Sequence, residues 1–333
     1  MDINKVDVVV GLAWGDEGKG KVTSALASDK SYDYVCRWAG GSNAGHTVFL
    51  EDKEYKTHII PSGVFHGIKS IIGPSCVLNK DKFYQELNYL HESGFDISLV
   101  KVSPKTHIVQ DIHIEIDKAE LAGSLGTTSN GIAPCYAQKA ARNGILAKQV
   151  LPKKTIWDEQ LSGNILCEGA QGVWLDLDWG NYPYVTSSTT LPYGSCSLGF
   201  PPQLIDKIYG VAKIYDSRSG IDPLFPESLL NDEDLHKLGE LGKEYGVTTG
   251  RRRTCQWLNL DLLIRSINIT GTTDLIINKC DILERLGIFK LIFHNNITEF
   301  KDINSMIEFM NSRIKALCPL INTWKYSGSP SHI

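Results

Sequence analysis

The clearest chemical pattern in the chain is a loop rich in glycine and charge at residues 11–21, Gly-Leu-Ala-Trp-Gly-Asp-Glu-Gly-Lys-Gly-Lys. An apolar run of β-branched residues precedes it and predicts a buried strand, and a segment of helical composition follows it. A strand, a glycine-rich turn and a helix in this order aim backbone N–H groups and the positive end of the helix at a phosphate. The loop therefore predicts phosphate binding. The alternative is a flexible turn whose charges are solvated.

One position separates this loop from a Walker A motif. Val22 stands where Ser or Thr would supply the hydroxyl that holds Mg²⁺. Asp16, inside the loop, offers carboxylate oxygens, which suit Mg²⁺. We therefore expect Asp16 to bind Mg²⁺ in place of the Ser or Thr hydroxyl of a Walker A motif.

A second glycine loop, residues 37–47, follows the next predicted strand and contains Asn43 and His46. Asn43 can donate and accept hydrogen bonds against an oxo group or a phosphate, and His46 suits proton transfer near neutral pH. A single loop histidine is usually a surface residue. Beside a second glycine loop, His46 becomes a catalytic candidate.

Two further loops carry polar groups suited to a nucleotide. Residues 126–128, Gly-Thr-Thr, suit phosphate oxygens, although a turn that caps the following helix explains them equally well. Gln171 follows a predicted strand, where ligands bind in open α/β sheets, and its amide can read the edge of a base. Asp176 and Asp178 suggest a metal site, but their alternation with leucines fits a strand with one polar face equally well.

The last two patterns concern anions and guanine. Residues 246–253 place three arginines after a Thr-Thr-Gly turn, which favours anion capture because arginine binds carboxylates through two hydrogen bonds. A plain arginine run would be a solvated face or a targeting patch. Residues 278–281, Asn-Lys-Cys-Asp, end an apolar strand. The Asp281 carboxylate can accept from the ring N–H and the exocyclic amine of guanine, two donors that adenine does not present together.

Composition narrows the class of protein. The chain has 333 residues, a formal net charge of −4, 42% hydrophobic and 22% charged residues, which is ordinary for a globular protein and offers no basic field for nucleic acid. No apolar run is long enough to cross a membrane, and the N-terminal residues contain no secretory signal pattern. The eight cysteines lack zinc-ligand spacing. We expect a cytoplasmic protein with neither a nucleic-acid nor a membrane partner.

The spacing of apolar segments predicts an α/β fold with a large, mainly parallel central sheet flanked by helices. Strands are predicted over residues 6–10, 34–37, 70–72, 165–167, 208–214, 275–277 and 288–293. Helices are predicted over residues 18–28, 80–91, 111–122 and 304–317. No internal repeat or linker divides the chain, so we expect a single domain, 1–333, with loop-rich insertions.

Together these motifs resemble the adenylosuccinate synthetase family, the GTP-dependent ligases of purine synthesis, over nearly the whole chain. The matching segments are residues 14–21, 43–47, 60–63, 126–128, 168–172, 182–188, 248–253 and 278–281. The length is similar to that of the compact archaeal form. The resemblance implies a P-loop-NTPase-like fold and a two-step reaction. GTP phosphorylates O6 of a 6-oxopurine nucleotide, and L-aspartate then displaces the phosphate, so that IMP gives adenylosuccinate, GDP and phosphate.

The resemblance also implies a role for each matching residue. Asp16 would be the general base and, with the Gly45 carbonyl, a Mg²⁺ ligand, while His46 and Lys19 would be the other catalytic residues. GTP would contact Gly15, Glu17, Gly18, Gly20, Lys21, Gly45, Thr47, Lys279, Asp281, Ser327 and Ser329. The acceptor nucleotide would contact Asn43, Thr128, Arg142, Gln171, Thr186 and Ser219, with Arg142 donated by the partner chain of a homodimer. Aspartate would contact Thr248, Thr249, Arg251 and Arg253.

Several residues depart from the usual family pattern, namely Ala13, Ser42, Asn130, Ser219, Asp222 and Leu224. They are predicted to surround the nucleotide pocket, so the sequence does not decide whether the acceptor nucleotide is IMP or dGMP. A bacteriophage branch of the family uses dGMP. Many members of that branch replace the Asp16 equivalent with serine, so IMP stands slightly ahead. A GTP-binding switch module is a more distant alternative, because such a module has no use for Gln171, Arg142 or the Thr-Thr-Gly-Arg loop.

Overall fold

A computed structural model of the chain describes residues 2–51, 53–223, 225, 232–246, 250–329 and 333. The strands in this part of the chain are β1 Ile3–Gly11, β2 Tyr34–Arg37, β3 His46–Leu50, β4 Lys53–Thr57, β5 Lys69–Ile72, β6 Val77–Asn79, β7 Val100–Val102, β8 His107–Val109, β9 Gly163–Glu168, β10 Ile205–Lys213, β11 Tyr215–Arg218, β12 Thr254–Asn259, β13 Asp274–Asn278, β14 Phe289–Phe293, β15 Asn296–Phe300 and β16 Thr323–Tyr326. The α-helices are α1 Lys19–Ala27, α2 Lys80–Glu92, α3 Asp111–Ile116, α4 Ala122–Leu125, α5 Ile132–Ala140, α6 Ala147–Val150, α7 Glu233–Leu241, α8 Leu260–Thr270, α9 Cys280–Leu286 and α10 Ile303–Leu317.

Eight strands form the central sheet in the order β16-β13-β10-β1-β9-β2-β5-β7, and every neighbouring pair is parallel. The predicted α/β fold with a mainly parallel sheet is confirmed. β1 lies between β9 and β10, and its residues Val6, Val8, Val9 and Val10 have no exposed surface. A strand covered on both faces is apolar at most successive positions, which explains the four valines; Asp7, the one charged residue among them, is fully buried as well. Because the strands are parallel, the loops after their carboxyl ends meet at one edge.

Three smaller sheets accompany the central one. β11, β12, β14 and β15 form a mixed four-stranded sheet, β3 and β4 an antiparallel hairpin, and β6 and β8 a parallel pair. The strand predicted over residues 288–293 is β14 and therefore lies in the mixed sheet rather than the central one.

The helix predicted over residues 111–122 is interrupted by a wider turn. A π-helical segment, Asp117–Leu121, joins α3 to α4. The buried Asp117 carboxylate accepts hydrogen bonds from Thr127 Oγ1 at 2.6 Å and from the Gly131 backbone N–H at 2.8 Å. Asp117 thereby holds the middle of the Gly-Thr-Thr loop and the N-cap residue of α5. This loop does not cap the next helix through a side chain, because α5 begins after Gly131 without such a hydrogen bond.

The interpretation of residues 175–178 as a strand is wrong. A short 3₁₀ turn, Val173–Leu175, precedes Asp176, which is fully buried and accepts from the backbone N–H of Asp178 at 3.0 Å and of Thr190 at 2.6 Å. Asp176 therefore holds a loop together. Among the described residues no group of three or more His, Cys, Asp or Glu could hold a metal ion. No helix in the described part of the chain has the length and hydropathy to cross a membrane. The single-domain division stays a prediction.

Candidate active site

The loops that follow β1, β2, β9 and β13 line one cleft of about 1190 Å³. Most of the predicted site residues line it: Gly15, Asp16, Glu17, Gly18, Lys19, Gly20, Lys21, Asn43, Gly45, His46, Thr47, Thr128, Gln171, Thr186, Ser219, Arg251, Arg253, Lys279, Asp281 and Ser329. Ser327 lies just behind the cleft, where its hydroxyl accepts from Lys21 Nζ at 3.1 Å. Arg142 is exposed and lies outside the cleft lining. Thr248 and Thr249 fall outside the described residues.

The phosphate loop is held in shape by its own glutamate. The Glu17 carboxylate points inward and accepts from the backbone N–H of Ala13 at 3.1 Å, the backbone N–H of Gly15 at 2.8 Å and Lys19 Nζ at 2.6 Å. Gly18 has a φ of 97°, a left-handed conformation that favours glycine, and stands at the N-cap of α1 without a side-chain cap. The first turn of α1 therefore has N–H groups available for an anion.

The guanine motif and the C-terminal strand are attached to the phosphate loop. Asn278 Nδ2 donates to the Glu17 carbonyl at 2.8 Å, while Asn278 Oδ1 is buried with no partner in the described part of the chain. Lys21 Nζ donates to Ser327 Oγ and, at 2.9 Å, to the Ser329 carbonyl. Burial lowers the pKa of Lys21 to about 8. The phosphate-binding and base-binding candidates thus form one connected structure.

His46 is oriented by a buried carboxylate. Its Nδ1 contacts Glu168 Oε1, and Glu168 also accepts from the Ser62 backbone N–H and the Ser62 hydroxyl, each at 2.7 Å. Burial alone would raise the pKa of Glu168, but His46, Arg37 and Ser62 together bring it below its ordinary value. An ionised carboxylate only accepts, so the proton is on His46 Nδ1 and Nε2 is the other ring nitrogen available for chemistry. Burial lowers the pKa of His46 itself.

Asp16 and Arg253 form an ion pair at the cleft surface. Asp16 Oδ2 lies 2.8 Å from Arg253 Nε, and the Asp16 side chain is 27% exposed. Arg253 NH1 donates to the buried Glu244 carboxylate at 2.6 Å. The neighbouring Arg251 instead donates to the carbonyls of Gly126, at 3.1 Å, and Thr127, at 3.3 Å, and so rests on the Gly-Thr-Thr loop.

Two side chains that line the cleft carry polar groups without hydrogen-bond partners among the described residues. Both amide atoms of Gln171 are buried, line the cleft and have no hydrogen-bond partner among the described residues. The Ser219 hydroxyl is likewise buried without a hydrogen-bond partner among the described residues, and Ser219 also lines the cleft. A buried polar group without a partner costs free energy, so these groups favour a ligand that hydrogen-bonds to them.

Two residues that depart from the family pattern join loops to one another. Asn130 Nδ2 donates to the Ser42 carbonyl at 3.3 Å and to Thr128 Oγ1 at 3.1 Å, and Lys82 donates to Asn130 Oδ1. Asp222 accepts from Asn181 Nδ2 at 2.6 Å and pairs with Arg218. These departures therefore connect loops of the predicted nucleotide pocket.

A family model for adenylosuccinate synthetase matches residues 8–163 and 153–326. The chain belongs to the adenylosuccinate synthetase family. It is 37% identical over 343 residues to the adenylosuccinate synthetase of Streptococcus sanguinis, with 85% of this chain and 79% of that protein covered. It is 38% identical over 335 residues to that of Clostridium novyi, with 83% and 78% covered.

Solved structures agree with this assignment. The fully ligated adenylosuccinate synthetase of Plasmodium falciparum superposes with a TM-score of 0.84 at 26% identity, covering 98% of each chain. The succinoaminodeoxyadenylate synthetase (PurZ) of cyanophage S-2L, bound to dGMP and dATP, gives a TM-score of 0.69 at 18% identity, covering 94% of this chain and 99% of that one. The second likeness concerns the fold alone. As a member of the adenylosuccinate synthetase family, the chain is a ligase that forms a C–N bond, and the family uses GTP, IMP and aspartate.

Sequence reasoning missed several residues of the synthetase site. Glu168 lies in a matched motif at the end of β9, which is a usable signal, but the motif alone assigns it no role. Glu244, Lys213 and Asp117 lie outside the matched motifs, and only the folded chain brings them to the site. The individual roles of the predicted residues stay predictions.

Proposed function

We propose that this chain joins L-aspartate to C6 of IMP at the expense of GTP, giving adenylosuccinate, GDP and phosphate. The observation that carries the proposal is the contact between Asp16 and Arg253. It joins a residue of the phosphate loop to the arginine predicted to hold aspartate. A GTP-binding switch has no need for that pairing, whereas a ligase must bring the phosphoryl donor and the amine to one place.

The chemistry follows in two steps. The Asp16 carboxylate takes the N1 proton of IMP, and O6 attacks the γ-phosphorus of GTP, so that an O–P bond forms and the bond to GDP breaks. The aspartate amine then attacks C6, the C6–O bond breaks, phosphate leaves and the nitrogen loses a proton. Lys19 and the N–H groups of the loop neutralise charge on the phosphates.

His46 acts on the transferring phosphoryl group. Glu168 holds its Nδ1 proton, so His46 donates from Nε2 only when it carries a second proton. Burial keeps the pKa of the free imidazole low, and the negative charge of a bound triphosphate raises it. His46 therefore becomes an acid when GTP is in place.

Mg²⁺ fits the oxygen donors at the loop. Asp16 offers a partly exposed carboxylate and Gly45 a carbonyl in the same cleft, and phosphate oxygens and water complete the coordination that Mg²⁺ prefers. When bound, the metal supplies charge neutralisation at the phosphates. Asp16 and Gly45 are the residues that would hold it.

A homodimer completes the site. Arg142 has a φ of 64°, is exposed after the end of α5 and lies away from the cleft of its own chain. An Arg142 guanidinium that contacts the nucleotide phosphate must then come from a second subunit.

The decisive experiment measures product formation with IMP, dIMP, GMP and dGMP in parallel, with GTP and L-aspartate present. We expect turnover to require both aspartate and a 6-oxopurine nucleotide, with IMP the best acceptor. A preference for dGMP would move the chain to the chemistry named for the cyanophage enzyme, because dGMP differs from IMP by an added amine at C2 of the base and by the missing 2′-hydroxyl of the sugar. GTP hydrolysis that needs neither substrate would refute the ligase proposal. Replacing GTP by ATP or dATP in the same assay identifies the phosphoryl donor.

A further inference from the structure

Behind the cleft, Glu244 is the centre of a buried ionic cluster. It is 1% exposed and does not line the cleft. Both of its oxygens accept from Lys213 Nζ at 3.1 Å, and it accepts from Tyr215 Oη at 2.7 Å and Ser217 Oγ at 3.2 Å. The remaining contact is the one with Arg253 NH1 at 2.6 Å. A buried carboxylate with this many donors is fully satisfied and therefore rigid.

The charges of the cluster favour ionised Glu244. Burial opposes ionisation, but Lys213, Arg253 and the Tyr215 hydroxyl hold the pKa of Glu244 well below its ordinary value. Two cations face Glu244, and the second of them, Arg253, also faces Asp16. Glu244 therefore contacts the guanidinium of Arg253 at NH1, while Nε of the same group lies 2.8 Å from Asp16 Oδ2 of the phosphate loop.

The turn that carries Glu244 also reaches the guanine motif. Lys279 Nζ donates to the Gly242 carbonyl at 2.8 Å, and the Arg253 backbone N–H donates to the Glu244 carbonyl at 2.9 Å. An added Cβ at Gly242 would lie 2.4 Å from Tyr215 Oη, so the turn packs directly on the cluster. The turn from Gly242 to Glu244 is thus held by Lys279 at one end and by the Arg253 backbone at the other.

We propose that Glu244 is a positioning residue for aspartate binding: it fixes the guanidinium of Arg253 so that Arg253 meets both Asp16 and the carboxylate of the incoming aspartate. The inference rests on the proposed function, in which Arg253 binds aspartate. Glu244 touches no substrate and acts through Arg253.

The test is the kinetics of Glu244→Gln, which keeps the size of the side chain and removes its charge. We expect the KM for L-aspartate to rise about tenfold or more, because a hydrogen bond between two charged groups no longer orients Arg253. The KM for GTP should change less than about threefold, because Lys279 contacts a backbone carbonyl that the substitution retains. A merely structural role would lower the fraction of active enzyme, hence kcat, and leave the KM for aspartate unchanged.

Tyr215→Phe is the matched control, since it removes one hydrogen bond to Glu244 without changing any charge. Its KM for aspartate should stay within about threefold of the wild-type value. If Glu244→Gln does not fold, Glu244→Asp, which keeps the charge on a shorter side chain, should show a smaller rise in the same KM. An unchanged KM for aspartate in the folded Glu244 variant overturns the inference. A wild-type enzyme without aspartate-dependent turnover would instead overturn the proposed function.

Discussion

Gly20→Ala tests whether the exact placement of His46 matters. Gly20 is the second residue of α1, and an added Cβ there would lie 2.8 Å from His46 Cβ and 3.2 Å from His46 Cγ. Carbon atoms in contact prefer separations of about 3.5–4.0 Å, so the His46 side chain must move by up to about 1 Å. The hydrogen bond from His46 to Glu168 then loses its geometry.

Two effects of this substitution can be separated. Alanine is a better helix former than glycine by about 1 kcal/mol, which offsets part of the cost of the close contact, so the protein should still fold. A misplacement of about 1 Å at a reacting group can cost about 100-fold in rate. We therefore expect kcat to fall about 10- to 100-fold while the midpoint of thermal unfolding changes little.

The assay measures kcat for the consumption of GTP that depends on IMP, at saturating aspartate. Thermal unfolding is measured on the same preparations. Gly123→Ala is the matched control, because Gly123 lies in α4 and a Cβ added there meets no described atom within 4 Å. Its kcat should equal that of the wild type. A folded Gly20→Ala enzyme with wild-type kcat would refute the argument that His46 must stay where Glu168 holds it.

Three other outcomes are expected. Asp281→Asn should raise the KM for GTP about tenfold and abolish the preference for GTP over ATP, because an amide cannot accept from both guanine donors. If the variant keeps that preference, Asp281 does not select guanine. Mixing Arg142→Leu chains with Asp16→Asn chains should restore activity that neither parent has, and no recovery in a verified hybrid would exclude a shared site. Burial raises the pKa of Asp216 from 3.8 to about 7, so the folded chain keeps a proton that the unfolded chain releases. The free energy of unfolding of the wild type should therefore decline as the pH rises between these two values. Measured by urea unfolding, the free energy of Asp216→Asn minus that of the wild type should grow by about 1.4 kcal/mol per pH unit over the same range. A difference that does not depend on pH contradicts this prediction.

The elements with strong local patterns could be predicted from the sequence. The bounds predicted for β2 are the observed ones, and those for β1, β9 and β13 lack at most a few residues at their ends, because strands covered on both faces are mostly apolar at successive positions. The loops at the carboxyl ends of these strands follow from the parallel topology. The loops that line the cleft could therefore be located from local sequence patterns, whereas residues such as Thr186, Ser219 and Ser329 are predicted only through the resemblance to the family.

What could not be predicted depends on contacts between distant segments. Nothing local to Glu244 indicates that Lys213 and Arg253 will flank it, and a buried carboxylate looks in sequence like a surface one. The interruption of the predicted helix at Asp117 depends on Thr127 and Gly131, which are 10 and 14 residues further on. The alternation of Asp176 and Asp178 with leucines has the period of a strand, so the sequence alone fits a strand as well as a metal site, although the structure has a loop there.

The position of β1 has a consequence for biosynthesis. The strand that precedes the phosphate loop is made well before its neighbours, because β9 and β10 begin only at Gly163 and Ile205. Until β9 and β10 have been made, both edges of the apolar strand β1 are without their partner strands. Contacts between segments so far apart in sequence also form slowly. β1 is therefore exposed to aggregation while the residues between Gly11 and Ile205 are made, and nucleotide can stabilise the phosphate loop only after that interval.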